Sequence, residues 1–564
     1  MQWDFKLSDF EKVAKIKKEL DLPELILNLL IQRKINEPQL IKDFLSPHYS
    51  QFYNPFLMKG MEKAVNRIIE NIQKGIPIFI LGDYDVDGTS AVSLLSLGIL
   101  ELGGKVVPYI PNRKNDGHGL SKRSLKKAID TQANLLITCD CGIGDSENIE
   151  EANNLGLDVI ITDHHLPGEL LPNAYAILNP KQKNCTYPFK DLSGSGVAFK
   201  LVSGLVAKLK KPKLLWMKLL DIAALGTASD LVPLKSENRA IVYFGLQEMQ
   251  LNKRPGLQLL LKAGNIRNNE ILTVSKINFQ IAPLINAVGR LSDANIVVRL
   301  LMTNNMNKAS TIVNELDKEN KKRQIIQKKI MSEALEKVAA YSKKTKLIFL
   351  KADNWHPGVI GIIAAKIKTK FKRPTVVITF DQNGNGNGSA RSIEGFNIYE
   401  ILLNVKSSLS SLGGHPLAAG FTLQKDKASL FKDLLMEQVN KTQIKLTKKN
   451  ILLDGVLKIS DINYPFIKLI QSLAPFGSGN PMPKFALKNL EIIGNPIIIG
   501  SGSHLRFKVK QNEKSLNVVA FGLADSYADL IIGKPVDISG FPEINIWKGD
   551  KTLQFNAQAI RLSI

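Results

Sequence analysis

The sequence predicts an α/β protein made of a parallel-sheet domain, a long connector helix, a second α/β domain and a small C-terminal β-barrel. Three observations carry this. Short apolar runs that end in acidic residues alternate with stretches of helical character, and such alternation gives a parallel sheet. Residues 308–341 contain neither Gly nor Pro and read as one helix. From about residue 450 the apolar runs become short and are separated by turn residues, a spacing that suits a barrel.

Residues 1–60 read as a helical lead-in, with periodic apolar positions over Leu22–Leu30. Residues 61–305 hold the first domain, whose buried strands run through Ile76–Leu81, Leu135–Thr138 and Val159–Thr162. Residues 306–343 form the connector, and its run "LDKENKKRQIIQKK" suits a solvated helix between two globular parts. Residues 344–448 form the second domain, with strands at Leu347–Leu350 and Thr375–Phe380 and a helix over Val359–Lys370. Its segment Gly384–Ser392 is rich in Gly and Asn and reads as a loop whose amides can approach a phosphate. Residues 449–564 form the barrel, from strands at Ile451–Leu457, Phe485–Ile493, Leu505–Lys510, Leu516–Phe521 and Val536–Ile538.

The chemistry lies where the first domain's strands end. One run leads into Asp83-Tyr84-Asp85-Val86-Asp87-Gly88, another into Cys139-Asp140-Cys141, a third into Asp163-His164-His165. Ligands of open α/β sheets bind beyond the carboxyl ends of the strands, so these groups can share one rim. A single Asp after a strand is usually turn or cap chemistry. Three strand ends carrying Asp, one with a His pair, instead imply cations among them. The Asp-x-Asp-x-Asp-Gly run lacks the Glu that closes a calcium loop. Carboxylate oxygens with few imidazoles suit Mn²⁺ or Mg²⁺ better than zinc. Two such ions, about 3.5–4 Å apart, support hydrolysis of a phosphoester.

Composition points the same way. The chain has 564 residues, 75 Lys and Arg against 52 Asp and Glu, and a formal charge of +23, with an isoelectric point near 9.6. This favours a polyanionic partner. Basic runs such as Lys208–Lys211 and Lys321–Arg323 are ordinary solvated faces taken alone. Cys139, Cys141 and Cys185 offer neither a disulfide framework nor a second thiol pair for zinc. The sequence shows no secretory signal and no apolar stretch long enough to span a bilayer, so a cytoplasmic location without membrane contact is expected.

The motifs "LGDYDVDGTSA" (from Leu81), "ITCDCGI" (from Ile137), "ITDHHLPG" (from Ile161) and "LGTASDLVPL" (from Leu225) resemble those of the DHH phosphoesterase superfamily. Within it, "PNRKNDGHGL", "APLINAVGRL", "WHPGVIGI", "GSARSIEGFNI", "GGHPLAAGF" and "LAPFGSGNP", in this order, resemble the RecJ family of single-strand-specific exonucleases. The resemblance spans nearly the whole chain. It implies a DHH domain, a DHH-associated domain and a C-terminal OB-fold. It also implies a processive 5′→3′ exonuclease on single-stranded DNA, dependent on two divalent ions and active in DNA repair and recombination. A DHH enzyme of short oligonucleotides or cyclic dinucleotides is the alternative, against which the barrel counts.

The resemblance also implies roles. Asp87, Asp140, His164 and Asp230 would hold one ion, and Asp85 and Asp140 the other, with Asp140 as the bridge. Asp83 would be a ligand or support one. His165 would act on the scissile phosphate or assist proton transfer, and Asp221 would be structural. Arg113, Ser389 and Arg391 would contact the 5′-phosphate, and Arg290 and His415 would line the substrate path. Leu284 stands where relatives usually carry Arg. Phe476, Phe507 and Trp547, with His504 and Arg506, are candidates for contacts in the barrel groove. A monomer working with a helicase and a single-strand-binding protein is expected.

Overall fold

This computed structural model describes residues 2–563 except 113–116, 118, 252, 268, 269, 343, 344, 443–449, 501, 526–533, 548 and 549. A short strand, β1 (Trp3–Phe5), opens the chain. The first large sheet is formed by β2 (Ile78–Gly82), β3 (Val106–Tyr109), β4 (Leu135–Cys139), β5 (Asp158–Thr162) and β6 (Ala176–Leu178). All its pairings are parallel, in the order β3-β2-β4-β5-β6. Strand order reverses between β2 and β4, the switch point at which open α/β sheets bind ligands. Every residue of β2 and β4 is buried, as expected of strands covered on both faces. The helices Val86–Glu101, Gly194–Lys208 and Leu220–Ser229 are buried nearly all round and build the larger core.

The helix Met306–Ala339 is no free rod. Ala309, Val313 and Leu316 pack into the first core, and Ile330, Ala334 and Val338 into a second. Charged residues are exposed along its whole length, from Lys308 to Lys337. Asn320 is also buried, and Arg323 donates to its side-chain oxygen at 2.8 Å.

The second sheet comprises β7 (Ile348–Asp353), β8 (Thr375–Phe380), β9 (Asn385–Arg391), β10 (Ser411–His415) and β11 (Ala418–Gln424), in the order β10-β11-β9-β8-β7. The segment expected to be a Gly-rich loop is therefore a strand, paired on both sides. Its glycines make room for aromatic neighbours: a Cβ at Gly388 would lie 2.1 Å from the Phe421 ring. Its amides belong to a sheet paired along both edges, not to a loop that wraps a phosphate.

The barrel contains β14 (Phe485–Ile499), β15 (His504–Gln511), β16 (Lys514–Ala520), β17 (Val536–Trp547) and β18 (Asp550–Leu562). It closes through β14-β15-β16-β18-β17 and back to β14. Before it lie β12 (Ile451–Leu453), which pairs with β1, and β13 (Gly455–Leu457), which pairs with β14. The sequence reading missed β18 and cut β14 and β17 short.

The N-terminal helices Phe10–Lys17, Glu24–Gln32 and Pro38–Leu45 share a core with this barrel, about 450 residues away in sequence. Ile26, Leu27, Leu29 and Leu30 are 0% exposed there. Their burial contributes on the order of 6–12 kcal/mol as an upper bound, enough to hold the segment on the barrel. Among the described residues no helix is long and apolar enough to cross a membrane.

Candidate metal centre

The carboxyl ends of β2, β4 and β5 converge as the acidic motifs require. Asp83 follows β2. Asp85 caps the helix Val86–Glu101, accepting from the Gly88 amide at 3.0 Å, and Asp87 lies buried in that helix's first turn. Asp140 follows β4 with φ of +62° and is tied by its amide to Thr162 O at 2.9 Å. A left-handed conformation at a non-glycine residue is strained, and persists where the surroundings over-determine it. Here the paired strands and the Thr138 hydroxyl, bonded to Cys141 O at 2.8 Å, fix the turn. Asp230 arrives from elsewhere, as the C-cap of the helix Leu220–Ser229.

Three groups bring ligand atoms within 4.8 Å of one another: Asp83, Asp85 and Asp140; Asp87, His164 and Asp230; and Asp140, His164 and His165. Asp140 and His164 each belong to two groups, so the three merge into one centre. His164 Nε2 lies 3.1 Å from Asp140 Oδ1 and 3.6 Å from Asp230 Oδ2.

Packing leaves no room for a different arrangement. A Cβ at Gly194 would sit 2.5 Å from Asp140 Oδ1, and one at Gly226 would sit 2.5 Å from Asp87 Oδ1. The helix Gly194–Lys208, capped by Ser193, aims its first amides at Asp87: Gly194 N donates at 2.7 Å and Ser195 N at 2.9 Å.

The electrostatics favour a cation. Burial, then repulsion from Asp83, raises Asp85 to about 6. Burial, then Asp230 and Asp85, raises Asp87 to about 8. Burial and the charges of Asp87, Asp85 and Asp83 hold Asp140 well above the ordinary carboxylate range. Burial pulls His164 down, towards the neutral ring a metal ligand needs. Asp230 Oδ2 is buried without a hydrogen-bond partner among the described residues. Divalent ions bound among these oxygens would satisfy that atom and return the carboxyls to their charged forms. The residues present therefore fit a two-ion site.

His165 is held differently. Asp163 Oδ1 lies 2.7 Å from His165 Nδ1 and also accepts from the amides of His164 and His165, while its Oδ2 accepts from Ile143 N at 3.1 Å. The Asp163 bond raises His165 above its ordinary pKa despite partial burial. Burial pushes Asp163 up, but the His165 ring and the backbone donors outweigh it, leaving its carboxyl below the usual range. Asn179 donates to His165 O at 2.9 Å, and Lys181 Nζ to His164 O at 2.6 Å. Sequence reading counted Asp163 only among the acidic groups of the rim and assigned no role to Asn179, Lys181 or Ser195. Ser193 in Ser-Gly-Ser-Gly was a legible cap signal, but its alignment on Asp87 was not.

A second group of predicted residues gathers at the helix Pro357–Phe371. Arg290 Nη1 donates to Gly358 O at 3.2 Å. Arg391 Nη1 donates to Ser389 Oγ at 2.9 Å, and a Cβ at Gly361 would lie 3.1 Å from Arg391 Nη2 and 3.3 Å from Ser389 Oγ. The helix Ala282–Leu291, which carries Arg290, also touches the acidic loop: a Cβ at Gly289 would meet Tyr84 O at 2.6 Å. His415 is exposed at the end of the edge strand β10. Arg113 lies outside the described residues. Leu284 is buried in the first core, away from any solvent-borne ligand. Asp221 is spent on Arg254, at 2.8 Å.

The barrel corrects the aromatic candidates. Phe507 is core, and Phe476 packs against the same core, so neither is an open platform. The Trp547 side chain lies outside the described residues. His504 stands edge-on to the exposed Phe521, at 5.2 Å between centroids. Along β15, Arg506, Lys508 and Lys510 alternate outward while Leu505, Phe507 and Val509 face the core.

Comparison with known proteins agrees with this layout. The DHH family N-terminal domain matches residues 77–227, the DHHA1 domain 344–441 and the RecJ OB domain 453–559. The single-stranded-DNA-specific exonuclease RecJ of Bacillus subtilis is 36% identical over 561 residues, covering 98% of this chain and 70% of that protein. The Escherichia coli RecJ is 35% identical, over 76% of this chain and 78% of its own. The crystal structure of Thermus thermophilus RecJ in complex with Mn²⁺ superposes with a TM-score of 0.84 at 28% identity, covering 99% of this chain and 79% of that one. With its three matched domains in this order around the two-ion site, the chain belongs to the RecJ family of DHH phosphoesterases.

Proposed function

We propose that this chain is a metal-dependent exonuclease that hydrolyses the phosphodiester bonds of single-stranded DNA from the 5′ end, in DNA repair and recombination. The observation that carries the reading is the merged centre of Asp83, Asp85, Asp87, Asp140, His164 and Asp230, whose buried oxygens repel one another without cations. Asp87, Asp140, His164 and Asp230 would hold one ion and Asp85 and Asp140 the other, with Asp83 as a ligand or its support. The carboxylate-rich donor set favours Mn²⁺ or Mg²⁺. Such ions supply a nucleophile at neutral pH and stabilise the charge that develops in an in-line displacement at phosphorus.

The chain's own residues do the rest. Gly194 and Ser195 amides hold Asp87 in one orientation. Asp163 orients His165 and favours its protonated form, so that its exposed ring can donate to a phosphate oxygen and assist proton transfer. Arg391 and Ser389, with Arg113, grip a terminal 5′-phosphate, and Arg290 and His415 flank the strand. The outward stripe of Arg506, Lys508 and Lys510 lies on β15, the second barrel strand, and follows the nucleic-acid backbone on the strand-two and strand-three face on which OB-folds take oligonucleotides.

We divide the chain at 60, 305, 343 and 448, with the helices up to Leu45 attached to the barrel and Phe52, Phe56 and Met58 packed on the first domain. The protein works as a cytoplasmic monomer beside a helicase and a single-strand-binding protein. Incubating 5′-labelled and 3′-labelled single strands with Mn²⁺ tests the reading. Loss of the 5′ label as mononucleotides, prevented by EDTA, is expected. Cleavage of neither strand, or release from the 3′ end, would overturn it.

A further inference from the structure

The segment Leu473–Pro481, "LAPFGSGNP", enters no step above, yet it touches the loop that delivers Asp230. Leu234 N donates to Ser478 O at 2.7 Å. A Cβ at Gly477 would lie 2.6 Å from Leu234 Cδ1, and one at Gly479 would lie 2.8 Å from Pro233 Cβ. Pro233 and Leu234 stand three and four residues after Asp230. The opposite side of that loop is held by Asn238, which donates to Pro233 O at 3.1 Å from within the first domain. The Asp230 loop is thus clamped between its own domain and a strap from the barrel.

The strap is rigid for a visible reason. Asn480, 1% exposed, donates to Leu473 O at 2.8 Å and Pro475 O at 2.9 Å, and accepts from Arg33 Nε at 3.0 Å. Gly477 and Asn480 exchange backbone hydrogen bonds across the turn. Arg239, buried, crosses from the first domain to Leu473 O at 3.0 Å and to Phe44 O. Asn480 therefore ties the strap to the N-terminal helices, while Ser478 in the same turn meets the Asp230 loop.

We infer that Leu473–Pro481 is a positioning strap for Asp230, through which the placement of the barrel sets the affinity of the metal centre. Gly479 is its contact point. At φ of +70° with Pro233 against it, no other residue keeps the present approach. The inference rests on the two-ion reading above.

The test is Mn²⁺ binding to the full chain, measured by titration calorimetry. Gly479→Ala should displace Pro233 and weaken one of the two Mn²⁺ sites by about 10-fold, the scale for residues that orient a metal ligand. The Mn²⁺ concentration for half-maximal hydrolysis should rise in parallel, with single-strand affinity in EDTA unchanged. Gly477→Ala meets the end of the Leu234 side chain and not the backbone, so it should fold and move the same quantity less. Unaltered Mn²⁺ affinity in a folded variant of either kind overturns the strap. A loss of DNA affinity with metal affinity intact also overturns it, since the segment would then only place the barrel. If the unaltered protein binds no Mn²⁺, the two-ion reading fails instead.

Discussion

Asp140 concentrates the demands of the site in one residue. It is buried, left-handed and pressed by Gly194, and it belongs to two of the three ligand groups. Asp140→Ala should leave a folded protein, because it removes a raised, repelled carboxyl, and should lower hydrolysis by about 10³-fold or more, as loss of several kcal/mol of transition-state stabilisation implies. Rates with Mn²⁺, beside circular dichroism, check this. The two histidines should separate: His164→Ala weakens Mn²⁺ binding, whereas His165→Ala lowers the rate with metal affinity nearly kept. Equal losses of affinity would show the roles to be shared. Arg391→Ala should cut the preference for 5′-phosphorylated over 5′-hydroxyl strands by about 10- to 100-fold, the value of one charge-assisted contact. Competition between the two strands in one tube gives that ratio. These candidates were readable because they lie in contiguous motifs. The supports of His165 were not, since Asn179 reaches it only through the pairing of β6 beside β5.

At the scale of elements, period-two alternation along β15 separates a core face from a basic face, whereas the sequence reading had set Phe507 beside His504 and Arg506 in the groove. Replacing Arg506, Lys508 and Lys510 by alanine should weaken long-strand binding and reduce its salt slope by up to about 2, each lost phosphate contact counting about 0.7 for single strands. An unchanged slope would remove this face from the DNA path. The strand β9 was misread for a different reason. Its Asn-Gly repeats carry a turn composition, and only the Phe380 and Phe421 rings that fill the missing side-chain volume make it a strand.

At the scale of the whole molecule, two effects are expected. Without metal, Asp85 and Asp87 titrate near 6 and 8 when folded, above the ordinary 3.8. Their neutral forms are favoured by folding, so this contribution is full below about 4 and is lost as pH rises towards 8. Asp163 acts oppositely, and its share is lost on acidification below its ordinary value. The metal-free melting temperature should therefore fall by on the order of a few °C between pH 5 and pH 8. Mn²⁺ should reverse the trend, since it binds the ionised carboxylates. A flat metal-free profile would contradict the crowding of charge described here. Second, deleting residues from 450 onward strips the partner from Ile26, Leu27, Leu29 and Leu30. That truncation should aggregate, whereas one that also lacks the first 45 residues should stay soluble, as size-exclusion chromatography can show.

The sequence by itself determined the fold class, the order of its parts and the acidic motifs, because each rests on local pattern: period, turn chemistry and residues adjacent in the chain. Tertiary structure alone decided what those patterns meet. It put the N-terminal helices on the barrel, brought Asp230 to His164, turned the Gly-rich segment into a strand and set Leu473–Pro481 against the loop of Asp230. An apolar stripe or a strained glycine records that a partner exists. Which partner it is depends on contacts between residues hundreds of positions apart, and no local period encodes them.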